Sequence, residues 1–240
     1  MSFLVVIPAR KASTRLPNKP LLDLDGKTLI QRVFIQATKS KAKKVIIATD
    51  CKDILEHALS FGANAILTDS NHASGTDRVY EASLSLEIPD NEIIVNVQGD
   101  EPFINPEDIN QTASLLENNK QFDITTLFSP LDPSERNNEN VVKIWINDNE
   151  VLLFSRDPHD LEEPEFIHRH LGIYAYSLST LRFFVSLKIS KGERNQKLEQ
   201  LRGFENGLKF GAIKSVSKIH LGIDTPSDIE KALKILKDGD

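Results

Sequence analysis

Residues 9–19 of the chain, AlaArgLysAlaSerThrArgLeuProAsnLys, put four cationic and two hydroxyl side chains into one loop with no acid among them. A triphosphate asks for that combination, because guanidinium and ammonium groups neutralise its charge while hydroxyls donate to its oxygens. Basic clusters of this size are commonly no more than solvated surface. Position argues for chemistry here, since the loop directly follows the first apolar run of the chain. Two acids complete the set. Asp100 stands just past a buried run in Val95-Asn96-Val97-Gln98-Gly99-Asp100-Glu101-Pro102, with Gly99 beside it for close backbone approach. A lone Asp in such a loop often caps a helix. Asp224, in Gly222-Ile223-Asp224-Thr225-Pro226, is followed by Thr225, from which capping is the more natural. Magnesium on nucleotide phosphates needs only one or two protein carboxylates, as phosphate oxygens and water complete its octahedron.

Two commoner nucleotide motifs are missing. No G-x-G-x-x-G follows the first apolar run, which removes the main support for a dinucleotide dehydrogenase. Gly26-Lys27-Thr28 imitates the end of a P-loop, but Leu21 stands where its first glycine is required. Phosphates must be held by side-chain cations, a metal, or both.

The elements that position these residues read as α/β. Short β-rich apolar runs at 3–7, 44–48, 65–67, 92–97 and 123–128 alternate with stretches of helical period, the pattern of a parallel sheet covered by helices. Leu29, Ile30, Val33, Phe34 and Ala37 share one helical face, and Ile54, Leu55, Ala58 and Leu59 another. After Pro130 the pattern changes to strand-like runs at 141–146, 151–154 and 172–177 with helices near Leu181 and Leu198. Another strand is expected at 208–215, then a helix opening at Thr225. We therefore expect an α/β class, a mostly parallel central sheet flanked by helices. Residues 1–130 and 208–240 form its nucleotide-binding core and 131–207 a smaller inserted mixed α/β lobe. In an open sheet of this kind the ligand lies at the carboxyl ends of the strands.

Composition agrees. The 240 residues are 40% hydrophobic and 27% charged, an ordinary globular balance, and the net charge of -6 disfavours nucleic acid as main partner. Cys51 is the single cysteine, so neither an intrachain disulfide nor a cysteine-rich zinc site is available, and a reducing compartment such as the cytoplasm is expected. The N-terminal apolar run is too short for a signal peptide or a membrane span.

Segments 10–20 (RKASTRLPNKP), 72–78 (HASGTDR), 95–102 (VNVQGDEP), 170–176 (HLGIYAY), 198–202 (LEQLR) and 222–226 (GIDTP) together resemble the 3-deoxy-manno-octulosonate cytidylyltransferase family, the CMP-Kdo synthetases, in order and spacing across nearly the whole chain. That resemblance implies a Rossmann-like nucleotidyltransferase fold and transfer of CMP from CTP to the anomeric hydroxyl of an eight-carbon 3-deoxy sugar acid, with release of pyrophosphate, by a homodimer that serves lipopolysaccharide assembly. It assigns Arg10, Ser13, Arg15 and Lys19 to the CTP phosphates, and Ser74, Thr76, Arg78 and Gln98 to the base and ribose. Asp100 and Asp224 would hold Mg2+ and, with Arg10 and Lys19, carry catalysis. Arg156, His170, Tyr174, Glu199 and Gln200 would contact the sugar acid, Arg156 through a bidentate guanidinium grip on its carboxylate. Four residues apart in a strand-like run, His170 and Tyr174 are expected on one face.

The chain departs from the family at Lys11, usually aromatic or aliphatic, at Asn18, commonly glycine, and after Arg156. There Asp157-Pro158-His159-Asp160 replaces the usual Ala-x-Ile-Pro. The last departure falls on the sugar side and leaves a second acceptor open, the 8-amino derivative of Kdo or another acidic 3-deoxy sugar.

Overall fold

Phe3–Ala9 (β1) is apolar along its length and buried on both faces, which only a central strand covered on both sides provides. Phe3, Val5 and Ile7 enter one hydrophobic cluster while Val6 enters the other, as the two-residue period of a strand requires. The computed structural model of the protein describes residues 2–11, 16–157 and 166–238. β1 pairs in parallel with Lys44–Thr49 (β2) on one side and Ile93–Asn96 (β4) on the other, and β2 carries Asn64–Leu67 (β3) at the edge. Beyond β4 the sheet becomes mixed. Ile167–Ser177 (β8) runs antiparallel between β4 and Ile124–Pro130 (β5), and Phe210–Lys214 (β9) lies parallel to β5. Lys143–Asn147 (β6) and Glu150–Ser155 (β7) form a hairpin that pairs with the start of β8 and meets β9 at Glu150 and Gly211. The order is β3-β2-β1-β4-β8-β5-β9-β7-β6.

Helices cover both faces. Leu29–Thr38 (α1), Lys52–Ser60 (α2), Pro106–Asn118 (α4) and Pro226–Asp238 (α8) bury Leu29, Ile30, Val33, Ile54, Ala58, Ile109, Ala113 and Ala232 against one side. On the other side Gly75–Leu84 (α3), Leu178–Ser186 (α5) and Gln200–Glu205 (α7) contribute Val79, Ala82, Leu181, Phe184 and Leu201. Local signals set the helix starts. Ser74 and Asp77 form a reciprocal capping box on α3, and Thr225 and Asp228 bond each other at the start of α8.

The α/β class stands, and the expected sheet changes in one respect: parallel pairing is confined to β3-β2-β1-β4 and β5 with β9. The reason lies in β8. It begins at Ile167, five residues before the expected start, because that stretch pairs with both β5 and β6, and it brings part of 131–207 into the middle of the main sheet. The helical signal around Leu198 resolves into two short helices, Lys191–Gln196 (α6) and α7. Lys197 breaks the run by taking a left-handed φ of 54°.

Candidate active site

A cleft of about 330 Å³ opens at the carboxyl ends of β1 and β4, floored by Pro8, Ala9, Gly99 and Asp100. β1 is the strand where chain order reverses, with β2 on one side and β4 on the other, so the cleft lies at the topological switch point of the parallel part. Gly99 makes that closure possible: a Cβ there would sit 2.6 Å from Pro8 O.

At the centre of the cleft, Lys19 Nζ donates to Asp100 Oδ2 at 2.7 Å and to Asp224 Oδ1 at 2.8 Å. Three distant segments meet there, since a backbone bond from Ile223 N to Asp100 O (2.9 Å) clamps the two acidic loops together. Burial opposes the ammonium, yet the two carboxylates outweigh it and hold Lys19 above the ordinary lysine pKa. Two anionic oxygens thus converge on a single cationic point. Hard carboxylate donors of this number suit magnesium bound chiefly by phosphates and water. Among the described residues no group of three or more His, Cys, Asp or Glu forms a metal cage.

Of the residues expected at the nucleotide, Arg10, Lys19, Ser74, Arg78 and Gln98 line the cleft. Ser13 and Arg15 lie outside the described residues. Arg78 is buried and held by Asp50 Oδ2 (2.9 Å) and Thr68, which makes it a fixed wall of the site. Thr76 and Gln98 reach other segments: Thr76 Oγ1 donates to Glu199 Oε2 at 2.8 Å, and Gln98 Nε2 to Gly172 O at 3.1 Å. Both unusual loop residues have a physical reading. Asn18 takes φ 53°, a left-handed conformation that asparagine tolerates best after glycine. Lys11 turns away from the cleft to pair with Asp53 at 2.9 Å.

Of the residues expected at the sugar acid, Tyr174, Glu199 and Gln200 line a separate cavity of about 20 Å³, the space of about one water. His170 and Tyr174 do share a face, with ring centroids 5.6 Å apart. Glu199 Oε1 is buried without a hydrogen-bond partner, and burial pushes the Glu199 carboxyl above its ordinary pKa. Arg156 stands apart from the cleft lining. Its Nε donates to Gln196 O (2.9 Å) and its Nη1 to Glu139 O (2.9 Å) and Asn140 O (3.1 Å), so the fork expected to grip a carboxylate is spent largely on backbone.

Burial, with the nearby Arg156 charge, drives His170 from 6.5 down to about 3, so the ring is neutral at physiological pH. The folded protein therefore binds fewer protons than the unfolded chain between pH 3 and 6.5. Stability rises with pH across that window and is lost as pH falls through it. His170→Gln should flatten this acid slope, by at most about 1.4 kcal/mol per pH unit, in urea unfolding between pH 4 and 7. An unchanged slope would mean that His170 is not buried as a neutral ring.

Two supporting residues went unread in the sequence. Asp50, which anchors Arg78, carries no motif at all. Lys143 left a signal, a lysine inside the apolar run Val141-Val142-Lys143-Ile144-Trp145. It is fully buried and donates to Asn138 O (2.7 Å) and Arg156 O (3.1 Å), tying down the same loop that Arg156 holds.

Residues 4–213 match the family model described as Cytidylyltransferase. A 3-deoxy-manno-octulosonate cytidylyltransferase of Francisella philomiragia subsp. philomiragia is 44% identical over 243 residues, covering 96% of this chain and 97% of the relative. One of Polynucleobacter necessarius subsp. necessarius is 42% identical, covering 98% and 95%. The solved structure of CMP:2-keto-3-deoxy-manno-octonic acid synthetase complexed with CTP superposes with a TM-score of 0.92 at 33% identity, over 100% of this chain and 99% of that one. A cytidylyltransferase from Leptospira borgpetersenii shares the fold, with a TM-score of 0.62 at 19% identity over 99% of this chain and 94% of that one. With the cleft at the switch point and family-level identity along almost its entire length, the chain belongs to the 3-deoxy-manno-octulosonate cytidylyltransferase family.

Proposed function

We propose that the protein transfers CMP from CTP to the anomeric hydroxyl of Kdo, forming CMP-Kdo and pyrophosphate. The observation that carries this reading is the Asp100–Lys19–Asp224 constellation on the cleft floor, in a chain whose relatives bear that activity in their names. The sugar oxygen forms a bond to the α-phosphorus as the bond from that phosphorus to the β-phosphate bridging oxygen breaks, and the hydroxyl proton is lost to solvent. Such a step needs alignment and charge neutralisation rather than a covalent enzyme intermediate. Arg10 and Lys19 supply fixed positive charge to the phosphates. Ser74 and Arg78 shape the nucleoside end, and Gln98 couples it to β8. Asp100 and Asp224 would hold magnesium. When bound there, it would neutralise phosphate charge and lower the pKa of the attacking hydroxyl.

Tyr174, Glu199 and Gln200, whose cavity has room for about one water in this structure, would together with His170 contact the sugar acid when it binds, with Thr76–Glu199 and Gln98–Gly172 linking the two subsites. On the same reading 131–207 supplies acceptor binding and homodimer contacts, and the enzyme works in the cytoplasm toward lipopolysaccharide. Among the described residues no helix is long and apolar enough to cross a membrane. The names of the relatives favour Kdo over its 8-amino derivative. Pyrophosphate release with CTP and each acceptor in turn tests this. Kdo should give the higher kcat/KM, and preference for the amino sugar would overturn the assignment.

Arg156→Lys keeps the charge but loses the planar fork that holds Gln196 O, Glu139 O and Asn140 O. We expect acceptor KM to rise by about tenfold or more, as one lost charge-assisted bond implies, with CTP KM little changed. A rise confined to CTP would remove Arg156 from the acceptor side.

A further inference from the structure

Thr126 in β5 is buried, and its hydroxyl meets three polar atoms of β8: Ile173 O at 2.7 Å, Leu171 O at 3.1 Å and His170 Nε2 at 3.0 Å. A threonine hydroxyl has one proton to give. Neither carbonyl oxygen carries a proton, so the 2.7 Å contact is attractive only if Thr126 donates toward the carbonyls. The hydroxyl lone pair then faces Nε2, and Nε2 must bring the proton of that bond.

We infer that Thr126 is a positioning residue that fixes His170 as the Nε2–H tautomer. Nδ1 is then the unprotonated ring nitrogen, able to accept from a hydroxyl and repelling a carboxylate. This rests on the reading of His170 as an acceptor-side residue, and it deepens that reading by assigning His170 to a sugar hydroxyl. The carboxylate of the sugar acid must find its partner elsewhere. The surroundings hold the ring in that orientation: Phe154 packs edge-on at 5.1 Å and Tyr174 lies at 5.6 Å between centroids. The same threonine also shapes the backbone. Pairing between β5 and β8 jumps from Thr126 with Tyr174 to Leu127 with Leu171, a bulge whose flanking carbonyls Thr126 holds, and the intervening Gly172 O accepts from Gln98 in the nucleotide cleft. One hydroxyl therefore sets both the proton on His170 and the bulge through which the two subsites touch.

The test is 15N NMR of histidine-labelled full-length protein with acceptor kinetics alongside. In the wild type His170 should show a protonated Nε2 and an unprotonated Nδ1 throughout pH 6 to 8. Thr126→Val, similar in shape without the hydroxyl, should lose that preference and raise acceptor KM about tenfold, the cost of one buried hydrogen bond, with CTP KM within about twofold. Thr126→Ser should restore both. A protonated Nδ1 in the wild type overturns the inference even if the valine variant fails to fold. So does a folded Thr126→Val that keeps the wild-type tautomer. The wild-type spectrum decides the tautomer whichever sugar is the acceptor, so failure here is distinguishable from failure of the Kdo assignment.

Discussion

Asp100→Asn and Asp224→Asn will each lower turnover by at least about 10² to 10³, the usual cost of removing one preorganised electrostatic stabiliser from a site where charge develops. Neither change touches the hydrophobic core, because both side chains are partly exposed and their neighbour is Lys19 rather than packed apolar surface. Thr225 and Asp228 bond each other at the start of α8. Thermal unfolding of both variants should accordingly stay close to wild type while steady-state turnover at saturating CTP collapses. Near wild-type turnover at limiting magnesium in either variant would end its assignment as a metal ligand.

Lys19→Met is expected to act in two directions at once. Turnover should fall by about 10², since on the proposed reading the ammonium is one of the fixed charges that face the triphosphate. Magnesium binding to the nucleotide-free protein should become tighter, because Lys19 occupies the point on which Asp100 and Asp224 converge and competes there with any other cation. Calorimetric titration of magnesium into the two proteins separates these effects. Weaker magnesium binding in the variant would show that Lys19 organises the carboxylates instead of competing for them.

How much of this was legible in the sequence follows from what each feature depends on. β1 and α1 were readable because their signals are local: an unbroken apolar run, and a 3.6-residue stripe starting at a threonine cap. Asp224 was readable because Thr225 and Pro226 announce a helix start beside it. The true start of β8 was not, since His168, Arg169 and His170 look polar and become strand only through pairing with β5 and β6 on either side. Arg156 shows the same limit from the other direction. Its type and place suggested a free fork, but the carbonyls that occupy it come from residues 139, 140 and 196, and only the fold brings those together. Thr126 carried no signal at all. Its role exists only because a two-residue irregularity in a neighbouring strand turns three acceptor and donor atoms toward one hydroxyl.

The most direct test of the central claim is 31P NMR of the purified protein with CTP, Kdo and magnesium. CTP signals should decay as pyrophosphate and a single new phosphodiester, CMP-Kdo, grow in equal amounts, and omission of Kdo should abolish the loss of CTP. Consumption of CTP to free CMP at the same rate with and without Kdo, or no new phosphodiester with any 3-deoxy sugar acid, would contradict it.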